Sequence, residues 1–335
     1  MKPSRNILLT FDYELFLGER SGDINSCLIQ PTKLLQNIYD EFGVSKAIYF
    51  VDTTYLACLK KHLDDPAIAK DFEKVQKNIS FLLESGHYVF PHIHPHWLDA
   101  KRVGEDWILT DLTKYCFKNC STEERDEIWS SSIDILTEFG VTKHHPIDTF
   151  RAGGWSIQPF ADFKPYFDKY GIKYDFTVMP ETYSWTNAQQ YDFTEVQTKL
   201  PFGFDSVITD DNGSTYQEFP ICTRPKNAVT LSERIFMKYL WKTGNRSIGQ
   251  GSGVIPNKIE YQPKQAAKPV EMISIELLHK LNLKHYKDHL ESNNYMQFIS
   301  HPKMLTKHNL KIFRKFMQFA QQNFNLDFDF KSLTE

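Results

Sequence analysis

The chain has 335 residues, 41% of them hydrophobic and 14% aromatic, with a formal net charge of −3. That is ample for a buried core and too close to charge balance to imply a nucleic-acid partner. No apolar run approaches the ~18 residues of a membrane span, and the five scattered cysteines (Cys27, Cys58, Cys116, Cys120 and Cys222) read as reduced thiols.

Residues 6–11 carry the continuous apolar run Ile7-Leu8-Leu9, the mark of a strand covered on both faces. Its N-terminal flank is too short and meets Asp12 too soon for a secretion signal, so the expected address is the cytoplasm. The strand ends in Thr10-Phe11-Asp12-Tyr13-Glu14, where two carboxylates spaced by two residues leave the same side. A helix over 31–42 starts near Pro31 and stops at Gly43. Residues 46–51 form a second strand. A helical pattern over 65–85 puts Ile79, Leu82 and Leu83 on one face and closes at Gly86.

A third strand over 87–91 leads into His92-Ile93-His94-Pro95-His96-Trp97. Neutral imidazole is the commonest protein ligand for zinc and similar ions. An extended chain puts all three imidazoles on one face, whereas a turn at Pro95 pairs His92 with His96 at i, i+4. Either geometry brings two nitrogens to one ion and leaves the oxygen ligand to another part of the chain.

Residues 99–119 are irregular. Ser121-Thr122-Glu123-Glu124 is a capping box opening a helix that ends at Gly140. Residues 148–151 form a strand ending in Arg151-Ala152-Gly153-Gly154-Trp155, and a helix through Phe167 stops at Gly171. Residues 172–178, with Asp175, read as another strand. Over 180–265 periodicity fades into long loops around a strand at 218–221, an elaboration of the site and not a second domain. A helix over 274–291, a strand over 295–299 that delivers Ser300-His301-Pro302-Lys303, and a helix over 307–324 complete a single unit, 1–335. Alternating strand and helix predicts an α/β fold with parallel strands and a site at their carboxyl ends. Trp97, Trp155 and Trp185 suit either sugar stacking or the core, and the His144-His145 pair reads as surface.

These stretches together resemble the polysaccharide deacetylases of carbohydrate esterase family 4, the NodB-homology group. The family's Thr-Phe-Asp-Asp-Gly slot reads Thr10-Phe11-Asp12-Tyr13-Glu14, and its Gly-His followed by His-x-x-x-His is matched by Gly86-His87, His92 and His96. Arg151 with its glycine-rich turn, Asp175 after Gly171-Ile172, and His301 match three further motifs in the family's order. The His-x-His-Pro wording looks like the subgroup associated with lipopolysaccharide and O-antigen biosynthesis. The resemblance implies a distorted (β/α) barrel of about seven strands with long loop insertions. It also implies a divalent metal, Zn2+ first, that assists hydrolysis of an acetamido sugar, whether nucleotide-linked, lipid-linked or within an oligosaccharide.

Carried over residue by residue, the resemblance makes Asp12 the general base, Arg151 its orienting partner, His301 the general acid and Asp175 the partner of His301. Tyr13 stands where the family has a metal-binding aspartate. Glu14 is therefore expected as the oxygen ligand, with the exchange of roles between Asp12 and Glu14 left open. Likewise His92 pairs with His94 or with His96. Two rival readings share the fold: hydrolysis of another amide, such as a formamide or cyclic urea, and sugar binding without catalysis.

Overall fold

The computed structural model describes residues 2–18, 20–104, 106–109, 111–186, 188–226, 228–253 and 267–334. The chain opens with β1 (Ser4–Tyr13), α1 (Gln30–Phe42), β2 (Ile48–Asp52), α2 (Thr53–Lys60), α3 (Pro66–Glu84) and β3 (Tyr88–Ile93). Gly43 ends α1 in the left-handed conformation at φ 59°, as its place after the last apolar turn predicts. The hairpin β4 (Lys101–Val103) and β5 (Asp106–Ile108) then precedes α4 (Thr122–Glu138), whose Ser121–Glu124 capping box is formed on both sides. β6 (Thr149–Ala152), α5 (Lys164–Tyr170) and β7 (Tyr174–Asp175) follow.

The region expected as loops holds short elements of its own: β8 (Tyr183–Trp185), β9 (Gln190–Asp192), β10 (Phe202–Phe204), β11 (Tyr216–Glu218), β12 (Thr223–Pro225) and α6 (Ala228–Lys242). Its remainder at 254–266 lies outside the described residues. β13 (Val270–Met272), α7 (Leu283–Ser292), β14 (Tyr295–Ser300), α8 (Lys307–Asn323) and β15 (Asn325–Asp327) close the chain. The helix expected over 274–291 is thus only its second half.

The main sheet runs β10-β11-β7-β6-β3-β2-β1-β14, with β15 pairing beside the start of β1. From β11 to β14 every neighbouring pair is parallel, while β10 is antiparallel to β11. Seven parallel strands therefore stand side by side, and the sheet curls. Arg151 on β6 reaches Thr10 and Asp12 on β1 and Gln297 on β14, crossing the concave side. Gln297 Nε2 in turn donates to Phe219 O, just past β11, at 2.8 Å. No ladder joins β14 to β11 among the described residues, so the sheet is a curled half-barrel whose edges meet through side chains.

Alternation along β1 sorts its end. Ile7, Leu9 and Phe11 are fully buried, and Tyr13 continues their face, where its hydroxyl donates to Asn78 Oδ1 on α3 at 2.9 Å. Asp12 and Glu14 take the other face. Tyr13 is thus part of the core between β1 and α3, and does not occupy a ligand position.

Candidate metal centre

His92 and His94 sit at the carboxyl end of β3, with Asp12 and Glu14 at that of β1, and all four are buried. His94 Nε2 lies 2.6 Å from Glu14 Oε2 and 3.0 Å from His92 Nε2, and His92 Nε2 lies 3.5 Å from Glu14 Oε2. Donor atoms at about 2.0–2.2 Å from one ion stand roughly 3–3.5 Å from each other, so two edges match a single small cation, and the 2.6 Å edge between His94 and Glu14, a hydrogen-bond distance, has to open to admit it. Glu14 Oε2 has no hydrogen-bond donor of its own, and Glu14, His92 and His94 alone form such a donor group among the described residues. His92 Nδ1 lies 2.8 Å from Arg151 O; donating there turns a bare Nε2 toward Glu14. His94 is fixed through its backbone, whose N–H donates to Thr54 Oγ1 at 2.8 Å. The residues present fit a divalent ion held by two imidazoles and one carboxylate, a set that leaves a coordination position open.

His96, expected as an alternative ligand, stands apart from this group. Pro95 begins a 3-10 turn over Pro95–Asp99, which takes residue 96 off the face shared by 92 and 94. The His96 ring is stacked 4.9 Å from Tyr115, and neither ring nitrogen has a partner. Burial, then His94, pushes His96 well below the usual histidine range, so its ring is neutral. Trp97 is core: its Nε1 donates to Asp52 Oδ2 at 2.6 Å. Asp52 also caps α2, accepting from Tyr55 N and Thr54 Oγ1.

Beside the donor triangle are two polar pairs. Arg151 Nη1 donates to Asp12 Oδ1 at 2.6 Å, as the resemblance implies. Burial alone would raise the Asp12 carboxyl, but Arg151, His92 and His301 outweigh it and hold it below the usual range. Asp12 Oδ2 is left facing His92 Nε2 at 3.8 Å and His301 Nε2 at 3.6 Å. Burial likewise opposes ionisation of Glu14, yet Lys303, His94 and His92 bring it well below the usual range.

The second pair corrects an expectation. Asp175 does not touch His301: it accepts from Thr177 N and Thr177 Oγ1 at 3.1 and 2.9 Å and shares a buried contact with Glu218. Burial raises both acids, Glu218 well above the ordinary value, and Glu218 Oε2 lacks a donor unless the pair holds a proton. His301 Nδ1 faces Glu276 Oε1 instead, at 3.1 Å, and the His301 N–H donates to Glu276 Oε2 at 2.6 Å. Burial would lower His301, but Glu276, Asp12 and Glu14 overcome it and bring the imidazole up to about 9.

Two functional candidates lie outside every expected motif: Glu276, and Lys303, whose Nζ donates to Glu14 Oε1 at 2.8 Å and to Leu15 O. Lys303 stood in view two residues after His301. Glu276 gave no signal, because its segment read as the first turn of a helix over 274–291. A cleft of about 420 Å³, lined in part by Glu14, Tyr115, Gln189, Glu276, His301 and Lys303, opens onto the centre. Trp155 and Trp185 are half-buried away from this cleft's lining, Trp155 edge-on to Tyr191 at 5.9 Å.

The sequence matches no protein-family model and no curated protein. Among solved structures it is similar to the 4-alpha-glucanotransferase of Thermococcus litoralis, with a TM-score of 0.51 and 12% identity. That superposition covers 99% of this chain and 40% of the other, so this chain spans well under half of that protein's length. At such identity the likeness is one of fold: a mixed α/β chain with a curled parallel sheet.

Proposed function

We propose that this chain is a metal-dependent hydrolase that removes the N-acetyl group of an acetamido sugar during the making of lipopolysaccharide or another surface polysaccharide. The seven parallel strands support reading the sheet as a distorted NodB-like barrel. One observation carries the reaction: the donor triangle Glu14–His92–His94 lies beside Asp12, an acid held below its usual range, whose Oδ2 is 3.8 Å from His92 Nε2 and 3.6 Å from Nε2 of a cationic imidazole, His301. When bound, a divalent ion supplies Lewis acidity toward an amide carbonyl and lowers the pKa of water.

The protein's own groups do the rest. Asp12, kept ionised and oriented by Arg151, accepts the proton of the attacking water through Oδ2, the oxygen that Arg151 leaves free. His301, charged and oriented by Glu276 through Nδ1, presents Nε2 to the departing amine and gives it a proton as the C–N bond breaks. The Lys303 ammonium lies beside Glu14, so charge that develops on the carbonyl oxygen meets a nearby cation.

The test is product analysis. The ion-loaded protein is incubated with nucleotide-linked, lipid-linked and oligosaccharide acetamido sugars, and acetate and free amine are measured. Equal release of both from one of these supports the reading. Release of formate, or of a ring-opened acid from a cyclic urea, with no acetate from any sugar would replace it with another amide hydrolysis.

A further inference from the structure

Helix α6 (Ala228–Lys242) is apolar on two faces. The inner face is anchored: Glu233 is buried and paired with Arg224, and Phe236 packs 5.6 Å from His279. On the outer face Leu231, Ile235 and Tyr239 are 63%, 63% and 61% exposed, more than any other large hydrophobic residue among those described. Their i, i+4, i+8 spacing sets them in one line along the helix. Arg234 and Lys238 border that line, and Lys242 ends it. These three cations form no ion pair among the described residues, and the helix's one acid, Glu233, is buried against Arg224. The outer face thus joins aliphatic and tyrosine side chains to positive charge alone.

The position of the helix matters as much as its face. Between α6 and Leu277 lies a groove of about 550 Å³ that also includes Arg234 and Glu271. The same three residues border a second cleft of about 630 Å³ carrying Trp155, Lys226 and Lys268. The exposed helix therefore borders two clefts that share lining residues.

We propose that α6 docks the protein on an anionic lipid surface, with Leu231, Ile235 and Tyr239 at the acyl boundary and Arg234, Lys238 and Lys242 among the headgroups. An exposed apolar line bordered by cations with no acid between them is the chemistry of an interfacial helix. No helix of the described residues is long and apolar enough to cross a membrane, so the contact is peripheral. The docking stands apart from the reaction. If the deacetylase reading above also holds, the adjoining clefts would receive a sugar carried on a lipid phosphate.

The test is co-sedimentation of the full chain with vesicles of phosphatidylcholine alone, or with about one third phosphatidylglycerol. We expect binding to the mixed vesicles at least about tenfold tighter than to phosphatidylcholine, weakening in high salt. The exposed-site variants Ile235→Ser with Tyr239→Ser, and separately Arg234→Gln with Lys238→Gln and Lys242→Gln, should each lose about tenfold or more while melting like the wild type. Binding that ignores phosphatidylglycerol, or variants that bind as the wild type does, would overturn the proposal. So would a concentration-dependent dimer abolished by Ile235→Ser, which would assign the face to a second copy. No turnover is measured, so the outcome is independent of the reaction.

Discussion

Replacing Arg151 by methionine removes the charged beam that crosses the concave side of the sheet. The guanidinium is fully buried and donates to Phe176 O at 2.9 Å, Asp12 Oδ1 at 2.6 Å, Thr10 Oγ1 at 2.8 Å and Gln297 Oε1 at 3.1 Å. It also lies 4.2 Å from the centre of the Phe50 ring. Methionine keeps part of the packing but leaves Asp12 ionised without its strongest partner, and removing one member of a buried pair costs about 3–5 kcal/mol. Unfolding entropy of about 2.1 cal/mol/K per residue over 335 residues comes to about 0.7 kcal/mol/K. The single variant should therefore melt about 4–7 °C below the wild type. The double variant Arg151→Met with Asp12→Asn carries no unpaired charge and should recover at least half of that loss. Thermal unfolding in chelator, which removes any contribution of bound metal, is the assay. A single variant within 1 °C of the wild type, or a double variant no more stable than the single, would refute the pairing argument.

Three further outcomes are expected. Buried His87 accepts from Ala47 N and faces Gln36 Oε1, and burial, then Lys46, pushes it down to about 4. A folded-state pKa below the unfolded one makes stability complete above about pH 6.5 and lost as pH falls toward about 4, by up to about 3 kcal/mol. Urea unfolding at neutral and mildly acidic pH should show a smaller loss for His87→Gln, and equal losses would contradict the assignment. At Gly154, where φ is +56°, a Cβ would lie 1.9 Å from Tyr115 Cε1, and that ring packs 5.1 Å from His94. Gly154→Ala should weaken metal affinity roughly 10- to 100-fold in a chelator competition, whereas wild-type affinity would show that Tyr115 does not position His94. Glu276→Gln should keep its metal but lose about 10²-fold or more in kcat; a kcat within twofold of the wild type would remove Glu276 from the reaction.

How far the sequence could be read depended on whether a feature is written locally. The alternation at 12 and 14, the spacing of 92 and 94, and the strand-terminal position of Arg151 each follow from the period-two geometry of a strand, and the structure brings all of them to one end of the sheet. Pro95 was ambiguous between an extended run and a turn, and its 3-10 turn takes His96 off the face that His92 and His94 share. The partner of His301 was not legible. Glu276 comes from an irregular stretch before α7 that looked like helix, and its role depends on β13 and β14 lying close, as the Ile299 N–H to Ile273 O bond records. Helix α6 escaped notice for a related reason. With Phe236 and Leu240 on one side and Leu231, Ile235 and Tyr239 on the other, its apolar residues make no single stripe. Helix α2, for which no element was expected, begins directly after β2 with the β-branched pair Thr53-Thr54, a weak helix opening that Asp52 caps.

The most direct measurement is the number of divalent ions bound per chain, by elemental analysis after reconstitution, for the wild type and for His92→Ala, His94→Ala, Glu14→Gln and His96→Ala. The donor triangle predicts about one ion in the wild type and in His96→Ala, and little or none in the other three. No ion in the reconstituted wild type, or loss on changing His96 with retention on changing His94, would contradict it.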